Sequence, residues 1–190
     1  MKSDVAWVEN DILNNMKIIL SYRHKKFIPN ELINKAVQYV SQWIAFDDWF
    51  VGDLYKGIMI RGSVGVGKTL IMQATTATLQ HMGSKAVFTH ISDLNELYRQ
   101  EDREAIENLK HINVLAIDDV GMYAPIVNVY GNIINPFDDI IDFRYRQNKA
   151  TMITTNLTAE QIKEMFGLRT LDRLREMCND YTLTGKSMRA

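Results

Sequence analysis

Eight consecutive residues, Gly62-Ser63-Val64-Gly65-Val66-Gly67-Lys68-Thr69, have the spacing G-x-x-x-x-G-K-[ST]. Each fixed type supplies something a polyphosphate needs. The glycines let backbone N–H groups turn inward, Lys68 brings a cation to the β/γ oxygens, and the Thr69 hydroxyl is a ligand for Mg2+. All eight are therefore candidate binding residues for a nucleoside triphosphate.

A second set of candidates follows about fifty residues later. The apolar run Val114-Leu115-Ala116-Ile117 ends in Asp118-Asp119, which puts two carboxylates at the carboxyl end of a buried strand, where ligands of open α/β sheets bind. Asp118 is expected to bind Mg2+ together with Thr69, and Asp119 to position or polarise the attacking water. A further apolar run, Thr151-Met152-Ile153-Thr154, leads through Thr155 to Asn156. That side chain is placed to hydrogen-bond a γ-phosphate or the lytic water, although asparagine at a strand end is also a common turn former.

The elements that must hold these groups are legible around them. Gly57-Ile58-Met59-Ile60-Arg61 reads as a buried strand, and Leu70 to Gln80 as a helix that Gly83 stops. Strand, glycine loop and helix N-terminus thus occur in the order an anion site requires. Upstream, Ile12, Met16, Ile19 and Leu20 share one helical face, Pro29-Asn30 marks a break, and a second helix is expected from about Glu31 to Trp43. Other strands are expected at Ala86–His90, Val114–Ile117, Thr151–Thr154 and Tyr181–Thr184, and Thr158 to Gln161 has capping-box spacing. Alternating strands and helices predict a parallel sheet covered on both faces.

The 190 residues are 46% apolar, which suits one globular domain. No apolar run approaches the roughly 20 residues of a membrane span, and the start Met1-Lys2-Ser3-Asp4-Val5 is unlike a signal peptide. With a single cysteine, Cys178, no internal disulfide forms, so a soluble protein of the reducing cytoplasm is expected. The net charge of −1 provides no global basic field. Arg23-His24-Lys25-Lys26 and Arg144-Tyr145-Arg146 are small basic clusters, read as solvated surface. Affinity for nucleic acid is expected to be weak in the monomer and to favour single strands once ATP promotes assembly.

Taken in order, the phosphate loop, Ile117-Asp118-Asp119-Val120-Gly121, Phe143-Arg144-Tyr145, Thr154-Thr155-Asn156-Leu157, Asp172-Arg173-Leu174 and Gly185-Lys186-Ser187-Met188-Arg189 resemble the AAA+ ATPases of the DnaC/DnaI helicase-loader and IstB transposition-helper group. The resemblance runs from about Pro29 to Arg189. It implies a P-loop NTPase three-layer α-β-α sandwich of AAA+ type with a reduced lid. Its five-stranded parallel sheet would have the order 5-1-4-3-2. An N-terminal helical segment over 1–28 would precede an ATPase domain over 29–190.

The same resemblance implies ATP and Mg2+ as cofactors, and hydrolysis shared between subunits of an ATP-dependent homo-oligomer. By position, Lys68, Thr69 and Asp118 match the nucleotide and metal motifs. Asp119 stands where many relatives have a glutamate base, which implies slow turnover. Asn156 matches the first sensor, Arg173 the arginine finger that reaches a neighbour's nucleotide, and Arg189 a second sensor. The implied partners are a replicative helicase or a transposase-like protein, with single-stranded DNA possible in the assembly and no membrane. Two other readings stay open: an ATP-bound scaffold with little hydrolysis, and a small-molecule kinase, which would need an arginine-rich lid and an acceptor pocket that the sequence does not display.

Overall fold

Alternate residues of the central strands are apolar on both sides, so each strand feeds two cores and must be covered twice. A computed structural model describes residues 3–129, 131–185 and 187. In chain order its elements are α1 (Val5–Tyr22), α2 (Glu31–Ala45), β1 (Gly57–Arg61), α3 (Lys68–His81), β2 (Ala86–His90), α4 (Ile91–Arg99), α5 (Arg103–His111) and β3 (Val114–Val120). They continue with β4 (Val127–Val129), β5 (Asn132–Ile134), α6 (Pro136–Arg146), β6 (Ala150–Thr155), α7 (Ala159–Phe166), α8 (Leu168–Met177) and β7 (Cys178–Thr182).

The main sheet is parallel throughout, in the order β2-β3-β6-β1-β7. Counted by its own five strands, this is the expected 5-1-4-3-2 arrangement. On one face Ile58, Ile60, Ala116 and Met152 pack with α1, α2 and α3; on the other, Met59, Leu115, Ile117 and Ile153 pack with α4 to α8. The result is the three-layer AAA+ fold.

Local chemistry explains the boundaries. The Asp4 carboxylate caps α1 and the Asn30 side chain caps α2, each accepting a backbone N–H of the first turn. Pro29-Asn30 therefore separates two helices, as the sequence indicates. Thr158 and Gln161 form the expected reciprocal capping box at α7. After α3 the chain turns at Gly83, with φ +80°.

Four details differ from the sequence expectations. The last strand spans Cys178–Thr182 rather than 181–184. Its register is set by Gly57 opposite Cys178 at the sheet edge, where Asn179 binds the Asp53 and Gly57 backbone and Asp180 pairs with Arg61, so two polar residues hide the strand pattern. Next, β3 continues through Asp118 and Asp119 to Val120. A short antiparallel hairpin, β4–β5, lies between β3 and α6; three residues per strand are too few for an alternating pattern to register. On α1, the fully buried face is Val8, Ile12, Asn15 and Met16, whereas Ile19 and Leu20 are only partly covered.

A further correction concerns Arg144, which is not solvated surface: it is 0% exposed. Its guanidinium donates to the carbonyls of Leu109, Lys110, Ile112, Asn113 and Ala150 and to the Thr151 hydroxyl. The neighbouring Arg146 does lie at the surface, paired with Asp142.

α1 packs along α3 and α2, and its Val8, Ile12 and Met16 join the same core as the sheet. Asp11 on α1 accepts from Asn15 and from the Thr78 hydroxyl of α3, and His81 of α3 lies 3.0 Å from the same carboxylate. Cys178 is buried, and burial pushes its thiol up to about 12. The native chain should therefore resist a disulfide-exchange reagent until denaturant is added; reaction at the rate of an exposed thiol would contradict this burial.

Candidate functional site

The phosphate loop links the centre of the sheet to a helix. β1 delivers the chain to Gly62, whose φ of +153° and whose hydrogens lie against the Leu183 carbonyl; an added Cβ would sit 2.0 Å from that oxygen. Only glycine fits there. Gly65 and Gly67 also have positive φ, and Gly67 is the left-handed N-cap from which α3 starts. The first-turn N–H groups of α3 thus face the loop, which is the arrangement that favours an anion. Val66 is buried and anchors the loop in the core, whereas Ser63 and Val64 are exposed at its tip.

Lys68 is only 5% exposed. Its ammonium group donates to the Gly62 and Ser63 carbonyls, both at 2.8 Å, and to Asn156 Oδ1 at 2.6 Å. The structure therefore brings Asn156 from the end of β6 to the loop lysine, as the motif order suggests. A phosphate oxygen replacing these carbonyls would meet a cation already aimed across the loop.

At the end of β3 the pairing with β6 shifts register. Ile117 faces Ile153 and Val120 faces Thr155, so Asp118 and Asp119 together stand opposite Thr154. Two residues against one make a bulge, a device that re-aims side chains beside sites. Asp119 takes φ +56°, a conformation aspartate tolerates better than most residues. The Thr154 hydroxyl ties the bulge together, donating to Asp118 Oδ1 and accepting the Asp119 N–H at 2.9 Å.

Asp118 is 0% exposed, and its Oδ2 makes no hydrogen bond of good geometry among the described residues. Burial pushes its carboxyl above the usual carboxylate range and the Asp119 charge adds to this, while Thr154, Thr69 and His90 pull the other way. A buried carboxylate oxygen left over beside the Thr69 hydroxyl fits a hard divalent cation, which would satisfy it.

A cavity of about 440 Å³ opens beside the loop, bounded by Gly65, Lys68, Thr69 and Leu70 on one side and by Phe27 and Ile28 on the other. Arg23, Lys25 and Lys26 also line it. These basic residues are exposed, as the sequence suggests, but they stand at the mouth of the loop cavity. The Arg23 guanidinium bonds the Gln73 side chain of α3 at 2.9 Å.

Arg173 does not line this cavity. It is 8% exposed on α8, in the opposite helical layer, with its guanidinium against Asp142 and 5.5 Å from the Tyr145 ring. Asp142 is thus its partner, and the same carboxylate also binds Arg146 and Arg169. Arg175 pairs with Asp172. Arg189 lies outside the described residues, as do Lys186 and Met188.

Two contributors escaped sequence reasoning. Thr154 looked like one more residue of a buried strand, and His90 like the end of another. His90 pairs in register with Asp118, and its Nδ1 lies 3.2 Å from Asp118 Oδ2. A signal existed in each case: a polar residue closing an apolar strand at the edge where the ligand binds.

The parallel sheet, glycine loop and strand-end carboxylates define an ATP-binding protein of AAA+ fold. Residues 47–190 match the IstB-like ATP binding protein family, and the chain belongs to it. It is 23% identical over 150 residues to the replicative helicase loader DnaC of Escherichia coli K12, a match covering 75% of this chain and 56% of DnaC. The chain therefore spans little more than half of that relative. Among solved structures, it resembles a crystal structure of DnaI with a TM-score of 0.68 and 21% identity, over 95% of this chain and 93% of the other. It also resembles the replication initiator DnaA bound to AMPPCP and single-stranded DNA, with a TM-score of 0.63 and 21% identity, over 84% of this chain and 49% of DnaA. At these identities the two structures speak for the fold alone. No helix among the described residues is long and apolar enough to cross a membrane.

Proposed function

We propose that the chain is a slow ATPase that works as a nucleotide-driven switch in DNA replication, in the manner of a helicase loader. The observation that carries the reading is the meeting of three strand ends: Lys68 after β1, the Asp118-Asp119 bulge of β3, and Asn156 after β6, with Lys68 already bonded to Asn156. A cradle alone serves any P-loop protein. A cradle whose lysine contacts a strand-end asparagine, beside paired carboxylates, is equipped to respond to the γ-phosphate.

In this reading the loop N–H groups and Lys68 hold the phosphates, and Phe27 and Ile28 wall the base. Thr69 and Asp118 would hold Mg2+, which supplies charge neutralisation at the β and γ oxygens. Asp119 orients the attacking water, and its shortness relative to glutamate suits a timer better than a motor. Asn156 exchanges its bond to Lys68 for one to the γ-phosphate, so β6 reports whether that group is present. Arg173 completes the site of a neighbouring subunit in an ATP-dependent homo-oligomer. The partner is a replicative helicase, with single-stranded DNA in the assembly.

A transposition-helper role, with a transposase-like partner, is favoured by the family match. It uses the same chemistry with a different partner, and recovery of the protein bound to the chain in the presence of an ATP analogue separates the two roles. A scaffold that scarcely hydrolyses predicts no phosphate release even with partner and DNA present.

Replacing the cradle cation tests the foundation. Lys68→Ala should weaken ATP binding by about tenfold or more while the circular-dichroism spectrum stays that of the parent. Unchanged affinity in a fluorescent-nucleotide titration would remove the ATP site from this loop.

The two carboxylates should fail differently. Asp119→Asn is expected to keep Mg·ATP binding and to lower turnover by about 10²-fold, the contribution of a positioned base. Asp118→Asn should also lose the magnesium dependence of binding. Parental hydrolysis in Asp119→Asn would take the base assignment away from that residue.

A further inference from the structure

β2 and β3 run side by side with His90 in register with Asp118, and the bulge turns Asp119 to the same end of the sheet. One potential ligand atom from each of His90, Asp118 and Asp119 lies within 4.8 Å of the others. Clusters of this kind are common at protein surfaces and carry no meaning by themselves. Here one member is different in kind. Asp118 is wholly buried, Thr154 occupies its Oδ1, and its Oδ2 is left without a hydrogen bond of good geometry, facing His90 Nδ1 at 3.2 Å.

The imidazole is also oriented. Its ring stands edge-on to Phe88, with centroids 5.1 Å apart and planes at 86°. A cation placed among these atoms would meet two carboxylates and one nitrogen. Magnesium gains little from such a nitrogen, because it is a hard ion that prefers oxygen and keeps its waters. Imidazole with carboxylate suits the later first-row divalent ions, whose affinity rises from manganese to copper.

We propose that His90, Asp118 and Asp119 form a nitrogen-and-carboxylate site for a first-row transition-metal dication, filled without nucleotide. This goes beyond the ATPase reading. It shares Asp118 with the Mg2+ position but needs neither Lys68 nor a phosphate. A chain with the site filled has the strand-end carboxylate engaged before ATP arrives, and the metal present decides which ion the triphosphate meets.

Calorimetric titration of the nucleotide-free chain with Co2+ tests this. One Co2+ should bind per chain and should persist in excess Mg2+. His90→Gln should weaken it by at least about tenfold, since even outer residues of metal sites contribute that much. His81→Gln, which alters the exposed His81–Asp11 pair, should leave it unchanged. Lys68→Ala should also keep Co2+ while losing ATP, so failure of the ATP reading and failure of this one are distinguishable.

A measurement on the unsubstituted chain guards against misfolding of the variant. Paramagnetic broadening by Co2+ should reach the His90 ring signals before those of His24, His81 or His111. Free exchange of Co2+ for Mg2+, unaltered binding in a folded His90→Gln chain, or broadening centred on another histidine would each overturn the proposal.

Discussion

Arg173→Ala is expected to bind ATP like the parent and to lose hydrolysis by about 10³-fold, the loss typical of a missing arginine finger. The structure sharpens the reason. Arg173 and the phosphate loop belong to opposite layers of the sheet, and Arg173 is absent from the loop cavity. On the proposed reading, a guanidinium set apart from its own loop cavity acts on a neighbour's nucleotide. Within the single chain it rests against Asp142 and over Tyr145, so engagement requires exchange of that carboxylate for a phosphoryl group, another anion that a guanidinium fork can bind.

Mixing decides the matter. Arg173→Ala lacks the finger and Lys68→Ala lacks the cradle cation, so some mixed interfaces join an intact cradle to an intact finger. Partial recovery of phosphate release in the mixture is the expected result. No recovery at any ratio, with assembly verified by sedimentation, would show that Arg173 serves its own chain by holding Asp142.

Arg144→Ala is expected to destabilise the fold by about 4 kcal/mol, at the upper end for a point substitution and a large part of a domain's typical 5–15 kcal/mol. The mechanism is not loss of an ion pair, because no carboxylate among the described residues bonds this guanidinium. Five carbonyls and a hydroxyl would be left without their donor in a buried space. Unpaired buried acceptors cost about 1–3 kcal/mol each before water or relaxation relieves them. Burial pushes the guanidinium down to about 10, so it remains charged at neutral pH. Arg144→Lys should recover only part of the loss, since one ammonium with three donors cannot span the fork. Chemical denaturation would measure both, and a loss below about 1 kcal/mol for the alanine variant would refute this account.

The same two arginines show where the sequence could be read and where it could not. Apolar runs and glycine spacing reported the sheet, its strand order through the resemblance, and the cradle, because those signals are local and periodic. Asn156 was legible for the same reason, as a polar residue closing an apolar run. Arg144 was not. Its acceptors are main-chain carbonyls from α5, the loop before β3, and β6, and carbonyls leave no mark on side-chain type. His90 was hidden because only the pairing of β2 with β3 sets it beside Asp118, and Thr154 because the bulge that it ties is a register shift. Arg189, the remaining residue of the sequence set, lies beyond the described residues.

α1 begins near Trp7 and ends beside Arg23, which lines the loop cavity and holds Gln73 of α3. Eighteen helical residues make a rod about 27 Å long. Its length gives it leverage: a tilt of about 5° at the cavity end moves the far end by about 2 Å, from the same rise per residue. Bonds from Asp11 to Thr78 and His81 clamp the rod to the helix that starts at Lys68. The outer surface of α1, with Trp7 and Ile18 half exposed, would therefore carry any displacement of the phosphate loop furthest from it.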